Sequence, residues 1–158
     1  MPGVCLYLTC SNLRSHFSVK KKILIVDDQD STRKLLRLAL KETPFTLIEA
    51  CGAVEALMIA KQEKPAVILL DIVMPGSITG FQVCEMIKSE PELKDAYIIL
   101  ISGLSNPNNF YQAQRLGADA YLVKPFPMSR LIEIVGNYQE LKRSGTFVVE
   151  GRHPKPEI

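Results

Sequence analysis

The sequence predicts an α/β domain built on a doubly wound parallel sheet of five strands. Three observations support this fold class. Short apolar runs alternate five times with helix-like segments, glycine or proline marks most connections, and 158 residues suffice for one domain with a proper core. Because parallel strands need crossover connections, strict alternation of strand and helix favours a parallel sheet with helices on both faces.

Each predicted strand is a short apolar run, and each predicted helix follows one of these runs. The strands are expected near residues 22–26, 45–49, 66–70, 97–101 and 119–123. The helices are expected near residues 30–42, 53–63, 80–89, 107–116 and 128–142. Asp30-Ser31-Thr32 suits the N-cap of the first helix. The last helix has the clearest apolar face, formed by Leu131, Ile134, Val135, Tyr138 and Leu141.

The domain is expected to cover residues 21–143. Residues 1–20 are interpreted as a disordered leader, because the apolar stretch at 4–8 is too short for a signal peptide and no basic residue precedes it. Residues 144–158 are interpreted as a C-terminal tail. Residues 146–149 could form a short edge strand, but disorder is the favoured interpretation.

Composition argues against a membrane protein and gives no support to direct nucleic-acid binding. No apolar run approaches the ~20 residues that span a bilayer, and the net charge of +2 comes without a basic stripe interleaved with aromatic residues. The four cysteines form no CxxC pair and suggest neither a zinc site nor a disulfide framework. They are interpreted as reduced thiols of a cytoplasmic protein.

Polar residues follow four of the five predicted strands. Asp27 and Asp28 follow the first strand, Asp71 the third, Ser102 the fourth and Lys124 the fifth. Since parallel strands share a direction, their carboxyl ends are expected to meet along one edge of the sheet. Each group alone has a structural explanation, such as a turn, a helix cap or a solvated loop. Their joint occurrence at these strand ends favours a reactive site.

The chemistry of these groups indicates metal-assisted phosphoryl transfer. Carboxylates held close together repel one another and favour a hard cation, and Mg²⁺ typically uses one or two protein carboxylates while keeping several waters. With the cation bound, Asp71 can attack phosphorus and form an acyl phosphate. Ser102 and Lys124 can then contact the phosphoryl oxygens as charge redistributes.

These ordered motifs resemble the receiver domain of two-component response regulators, of the single-domain, chemotaxis-regulator kind. The resemblance runs from about Lys21 to Lys142 and includes the segments 71–76 (DIVMPG) and 117–121 (GADAY). It implies a flavodoxin-like fold with strand order 2-1-3-4-5. It also implies a phosphoprotein of signal transduction or phosphorelay rather than a metabolic enzyme, with self-catalysed phosphotransfer and autodephosphorylation as its only reactions.

The resemblance implies a role for each acidic residue. Asp71 matches the phosphoacceptor, and Asp28 and Asp71 match the side-chain ligands of Mg²⁺. Val73 matches the residue whose backbone carbonyl binds the ion. Asp27 matches the carboxylate that supports the ion through water.

Three further positions match the switching machinery of the family. Ser102 matches the hydroxyl that moves toward the phosphoryl group, and Lys124 matches the lysine that pairs with it. The bond between Lys124 and Pro125 is expected to be cis. Tyr121 matches the aromatic residue that turns inward in the active state, although a half-buried tyrosine on an outer strand is equally consistent with the sequence.

Some positions depart from the usual pattern of the family. The loop at residues 74–80 is one residue longer and lacks the usual acidic residue before its last glycine. Gly103 follows Ser102 where alanine is commoner, which could make the loop more mobile. Val73 and Leu104 offer no group to orient an attacking water, so the phosphoryl lifetime is expected toward the long end of the family range.

The expected partners are a histidine kinase or phosphotransfer protein and an unknown downstream protein. No direct contact with nucleic acid or membrane is expected. The protein is expected to be a monomer, or a phosphorylation-dependent dimer that uses the face of the fourth helix, fifth strand and fifth helix.

Alternatives to this interpretation differ in what the sequence offers them. A phosphohydrolase of the haloacid-dehalogenase type usually has a second aspartate where Val73 stands, and a nucleotide-binding fold would need a glycine-rich loop after the first strand. A receiver fragment of a longer regulator, with a missing output domain, stays open. A non-phosphorylated, receiver-like interaction module is less favoured because all five site positions are intact.

Overall fold

The computed structural model describes residues 19–151, which form a six-stranded parallel sheet with helices on both faces. The strands are β1 (Lys22–Val26), β2 (Thr46–Ala50), β3 (Val67–Asp71), β4 (Tyr97–Ser102), β5 (Ala120–Val123) and β6 (Val148–Glu150). The helices are α1 (Asp30–Leu40), α2 (Ala53–Glu63), α3 (Gly80–Ser89), α4 (Pro107–Arg115), α5 (Met128–Gly136) and α6 (Tyr138–Ser144). The strand order is β2-β1-β3-β4-β5-β6, and every neighbouring pair is parallel. The predicted flavodoxin-like α/β fold is therefore confirmed.

The inner strands are apolar throughout because both faces of the sheet are covered. Leu24, Leu70 and Leu100 point to the layer that packs against α2, α3 and α4. Ile25 and Leu69 point to the opposite layer, which packs against α1, α5 and α6. This two-sided burial fixes the strands, and with them the positions of the residues at their carboxyl ends.

A sixth strand lies along the edge of β5, so the predicted count of five strands is wrong. β6 pairs in parallel with β5, with Leu122 opposite Glu150. Arg130 of α5 forms an ion pair with Glu150 at 3.0 Å. The disorder expected for residues 146–149 is also wrong, because Val148 is buried in the layer that contains α5. Three strand residues are too few to produce a recognisable hydrophobic period.

The predicted helix over residues 128–142 is two helices that meet at Asn137. The backbone there departs from helical geometry, with φ −108° and ψ 13°. The next residue, Tyr138, packs edge-on against Phe45 and Tyr97, with ring centroids 5.9 and 6.0 Å away. The apolar face predicted from the sequence thus continues across the break, which explains why periodicity alone did not reveal it.

The predicted leader lies outside the described residues, apart from Val19 and Lys20, which have no regular secondary structure. Residues 152–158 of the predicted tail also lie outside them. Within residues 19–151, no helix combines the length and the apolar character needed to cross a membrane.

Candidate phosphoryl-acceptor site

Five side chains singled out from the sequence stand at the carboxyl edge of the sheet. Asp27 and Asp28 follow β1, Asp71 ends β3, Ser102 ends β4 and Lys124 follows β5. An open cleft of about 470 Å³ lies at this edge, and Asp28, Asp71 and Lys124 line it. Its other lining residues are Gln29, Val73, Met74, Pro75 and Gly103.

Asp27, Asp28 and Asp71 form an acidic cluster in which one carboxylate oxygen of each lies within 4.8 Å of the others. Asp27 is buried and Asp71 is only 7% exposed, whereas Asp28 is exposed. The backbone N–H of Gln29 donates to Asp27 Oδ1 at 2.8 Å, and the N–H of Val73 donates to Asp71 Oδ1 at 3.2 Å. Each carboxylate is thus held by the residue two positions later, a turn that aspartate favours after a strand.

Lys124 is the cation next to this cluster. Its Nζ lies 3.4 Å from Asp27 Oδ2 and 3.7 Å from Asp71 Oδ2, and its side chain is 35% exposed. The peptide bond between Lys124 and Pro125 is cis. Both distances exceed the roughly 2.7–2.9 Å of a strong charge-assisted hydrogen bond. The ammonium group therefore keeps capacity for another oxygen ligand.

The pKa of Asp71 is raised to about 6, chiefly because the carboxyl group is buried. The Lys124 ammonium and the Val73 N–H lower this pKa, whereas the charges of Asp27 and Asp28 raise it. Three carboxylates and one ammonium leave an excess of negative charge at the cleft. Clustered carboxylate oxygens are the donors that a hard cation such as Mg²⁺ prefers, so the residues present fit the metal indicated by the sequence.

Ser102 is linked to Tyr121 through the loop that follows β4. The backbone N–H of Leu104 donates to Ser102 Oγ at 3.1 Å, and the Tyr121 hydroxyl donates to the Leu104 carbonyl at 2.8 Å. Tyr121 is fully buried, and its ring packs edge-on against Phe110 with centroids 4.8 Å apart. Burial raises the pKa of the Tyr121 hydroxyl. A movement of Ser102 would therefore disturb the loop that holds this tyrosine inward.

Gly80 supports the site without any signal in the sequence pattern. A Cβ at this position would lie 2.3 Å from the backbone oxygen of Asp71, so only glycine lets α3 begin this close to β3. Thr79 caps the helix by accepting the N–H of Gln82 at 3.3 Å, and the Gln82 side chain accepts the N–H of Thr79 at 2.9 Å. The Thr-x-x-Gln spacing is the sequence signature of this capping box. The close approach of Gly80 depends on tertiary packing.

Comparisons with known proteins agree with this site. The family model described as response regulator receiver domain matches residues 23–136. The chain is 38% identical over 112 residues to the probable transcriptional regulator ycf27 of Porphyridium aerugineum, which covers 71% of this chain and 45% of that protein. It is 28% identical over 118 residues to the polar-differentiation response regulator DivK of Brucella anthropi, which covers 75% of this chain and 95% of that protein. The chain thus spans less than half the length of ycf27 but nearly all of DivK.

A solved structure shares both the fold and part of the sequence. The chemotaxis protein CheY4 of Vibrio cholerae superposes with a TM-score of 0.70 and 27% identity, over 75% of this chain and 98% of that one. The family match covers most of this chain and spans the acidic cluster, the strand-end hydroxyl and the lysine. The protein therefore belongs to the family of response regulator receiver domains.

Proposed function

We propose that this receiver accepts a phosphoryl group on Asp71 from a histidine kinase or phosphotransfer protein, and then signals to a separate protein by changing conformation. The surroundings of the Asp71 carboxylate carry the proposal. The group is buried, lies beside the oxygens of Asp27 and Asp28, and lies 3.7 Å from the Lys124 ammonium. A nucleophilic oxygen between a metal-binding cluster and a fixed cation is suited to phosphoryl transfer.

The proposal assigns Mg²⁺ to the acidic cluster. Asp28 and Asp71 would hold the ion through their side chains, Val73 through its backbone carbonyl and Asp27 through water. When bound, the ion supplies positive charge that offsets the charge of the phosphoryl oxygens.

Asp71 acts as the nucleophile in this proposal. One carboxylate oxygen forms a bond to phosphorus while the phosphorus–nitrogen bond of the donor phosphohistidine breaks, and the imidazole leaves with that electron pair. A pKa of about 6 keeps most of the Asp71 carboxyl group ionised at neutral pH, so the nucleophile is available. Lys124 is close enough to turn its ammonium group toward the transferred oxygens.

Ser102 and Tyr121 would transmit the change away from the cleft. A phosphoryl group on Asp71 adds strong acceptor oxygens, which attract the Ser102 hydroxyl and the Lys124 ammonium. Ser102 is bonded to Leu104, and Leu104 holds the hydroxyl of Tyr121. Movement of this loop would shift the population between two packings of α4, β5 and α5.

Two kinds of output are compatible with the comparisons. Similarity over nearly all of DivK supports a receiver that acts alone on another protein, whereas coverage of only 45% of ycf27 supports the alternative of a longer regulator with an output domain. The proposed receiver comprises residues 21–143, to which β6 adds an edge strand. A phosphorylation-dependent dimer through α4, β5 and α5 would form beside β6. The free thiols of Cys51 and Cys84 support a cytoplasmic setting.

The experiment that tests the proposal is intact-protein mass spectrometry after incubation with acetyl phosphate, with and without Mg²⁺. We expect wild type to gain the mass of one phosphoryl group only when Mg²⁺ is present, and the adduct to be labile to alkali. Asp71→Asn should gain none. Asp95→Asn is the matched control, because the Asp95 side chain is exposed and distant from the acidic cluster in the fold.

Two outcomes would contradict the proposal. One is an adduct of equal yield on wild type and Asp71→Asn, which would place the acceptor elsewhere. The other is folded wild-type protein that takes up no phosphoryl group from acetyl phosphate or from a phosphohistidine donor. The protein would then be a receiver-like interaction module.

A further inference from the structure

Arg33 of α1 makes an unusual set of contacts behind the acidic cluster. Its Nη1 donates to the backbone carbonyl of Asp27 at 2.7 Å, and its Nη2 lies 3.1 Å from Asp30 Oδ1. Its Nε lies 3.6 Å from Glu49 Oε1 in β2. The side chain is only 14% exposed, so this guanidinium group is held in place on three sides.

The carbonyl of Asp27 is the point where the chain leaves the sheet. The N–H of Asp27 is still bonded to the Ala50 carbonyl of β2 at 3.2 Å, which continues the sheet pairing by one residue. Its carbonyl instead receives the guanidinium of Arg33, and its side chain receives the N–H of Gln29. Arg33 therefore fixes the peptide group between Asp27 and Asp28, on which the direction of both side chains depends.

We infer that Arg33 is a positioning residue for the metal site, holding the peptide between Asp27 and Asp28 so that both carboxylates face the cleft. This inference rests on the proposed function, because it concerns the Mg²⁺ that phosphoryl transfer to Asp71 requires. Groups that orient metal ligands without touching the metal typically change metal affinity by about 10–100-fold when removed.

The sign of the effect separates positioning from charge. A guanidinium group near a cation site repels the cation, so removal of its charge alone would tighten Mg²⁺ binding. Loss of the hydrogen bond to Asp27 would release the corner and weaken Mg²⁺ binding. The two explanations therefore predict opposite changes in the dissociation constant.

Arg37 provides a matched control on the same helix. It lies one turn further along α1, and its Nη1 forms an ion pair with Glu49 Oε2 at 2.7 Å. Its described hydrogen bond is to Glu49 and not to the corner at residues 27–29. Arg37→Met removes the same charge and a contact to the same glutamate as Arg33→Met, but leaves the Asp27 carbonyl bonded.

The test measures the Mg²⁺ dissociation constant by isothermal titration calorimetry for wild type, Arg33→Met, Arg33→Lys and Arg37→Met. Thermal unfolding without Mg²⁺ shows which variants are folded. We expect Arg33→Met to bind Mg²⁺ about tenfold more weakly and Arg37→Met to bind like wild type. Arg33→Lys should lie between them, because an ammonium group can still reach one carbonyl but cannot span three partners.

A second readout uses acetyl phosphate. Since the inference concerns metal affinity, a higher Mg²⁺ concentration should restore the adduct yield of Arg33→Met to that of wild type. Arg33→Met that binds Mg²⁺ as tightly as wild type, or more tightly, would overturn the inference, and so would equal weakening in Arg37→Met. If Arg33→Met does not fold, Arg33→Lys against Arg37→Met decides in the same way. Failure of wild type to bind Mg²⁺ would instead overturn the proposed function, and this inference with it.

Discussion

Two lysine–aspartate pairs stand at opposite edges of the sheet and differ in how fully the ammonium group is used. At the amino edge, Lys88 Nζ lies 3.1 Å from Asp119 Oδ2, with the lysine side chain 16% exposed. At the carboxyl edge, Lys124 Nζ lies 3.7 Å from Asp71 Oδ2, with the lysine side chain 35% exposed. The same two side-chain types thus form a close pair at one edge and a loose pair at the other.

The pair at the amino edge is tied to the backbone on both sides. Lys88 also donates to the carbonyls of Ala96 at 2.7 Å and Lys94 at 3.1 Å, so all three of its protons have acceptors. Asp119 also accepts the backbone N–H of Ile98 at 2.9 Å. These contacts join the end of α3 to the starts of β4 and β5. We infer a structural role for this pair.

The pair at the carboxyl edge has no such closure. Lys124 faces two carboxylates at long distances, and the three clustered carboxylates repel one another. A site that is to receive a charged group needs unused donors and unbalanced charge, and both cost stability. The comparison teaches that incomplete satisfaction marks the reactive pair, whereas residue type and burial alone do not.

The largest expected effect follows from Lys124→Met. Without the ammonium group, the phosphoryl oxygens lose their protein cation, and the pKa of Asp71 loses the charge that lowers it. We expect adduct formation with acetyl phosphate to slow about a hundredfold, the scale seen when a transition-state donor is removed. The check is the rate of adduct formation at pH 7 and pH 8.5, since a rise in pKa alone would be recovered at the higher pH.

Lys88→Met should affect stability instead. It leaves two backbone carbonyls and Asp119 without their donor, so we expect the free energy of unfolding to fall by about 2–3 kcal/mol. Urea denaturation measures this loss. Lys61→Met is the control, because Lys61 is exposed and its nearest carboxylate, on Glu90, is 3.8 Å away. If folded Lys88→Met lost phosphoryl uptake as Lys124→Met does, the contrast between the two pairs would be false.

Asp71→Asn should stabilise the protein in a pH-dependent way. The folded pKa of Asp71 is about 6, above its ordinary value of 3.8, so the folded state binds the proton more tightly. Ionisation of Asp71 therefore costs stability: the cost is absent below about pH 4, grows between the two pKa values and is complete above about pH 6. Asparagine has no such cost, and we expect a gain of about 2 kcal/mol at pH 7.5.

Urea denaturation of both proteins at several pH values between 4 and 8, with a chelator present, measures this difference. The gain should shrink as the pH falls toward 4. A gain that is independent of pH would mean that the burial of Asp71 does not penalise its charge. Saturating Mg²⁺ should reduce the advantage of the variant, because the ion favours the ionised carboxyl group of wild type.

The sequence predicts the carboxyl edge well because the signals there are local. Each of β1, β3, β4 and β5 is an apolar run that stops at a polar residue, and parallel topology then brings Asp28, Asp71, Ser102 and Lys124 to one edge. The capping of α1 and the apolar face of α5 are also local. None of these predictions needs the distance between residues far apart in the chain.

The contacts that the sequence does not reveal join distant segments. Lys88 and Asp119 are 31 residues apart, and their pairing depends on how α3 packs beside β4 and β5. The bond from Arg33 to the Asp27 carbonyl depends on the exit angle of one peptide group. β6 is only three residues long, and its pairing depends on the turn at Gly145, where φ is +68°. Hydrophobic period carries no information about such geometry.

The smallest expected effect sharpens the comparison at the site itself. Val73 is 62% exposed and lines the cleft, and Leu104 lies beyond Ser102 with an exposed apolar side chain. Neither side chain can hydrogen-bond a water that attacks the acyl phosphate, so we expect slow hydrolysis if Asp71 is the acceptor. Val73→Asn places an amide there and should shorten the adduct lifetime severalfold, whereas Val73→Leu should not. The measurement is the loss of adduct mass after removal of acetyl phosphate. Wild-type decay as fast as that of Val73→Asn would show that the apolar rim does not protect the phosphoryl group.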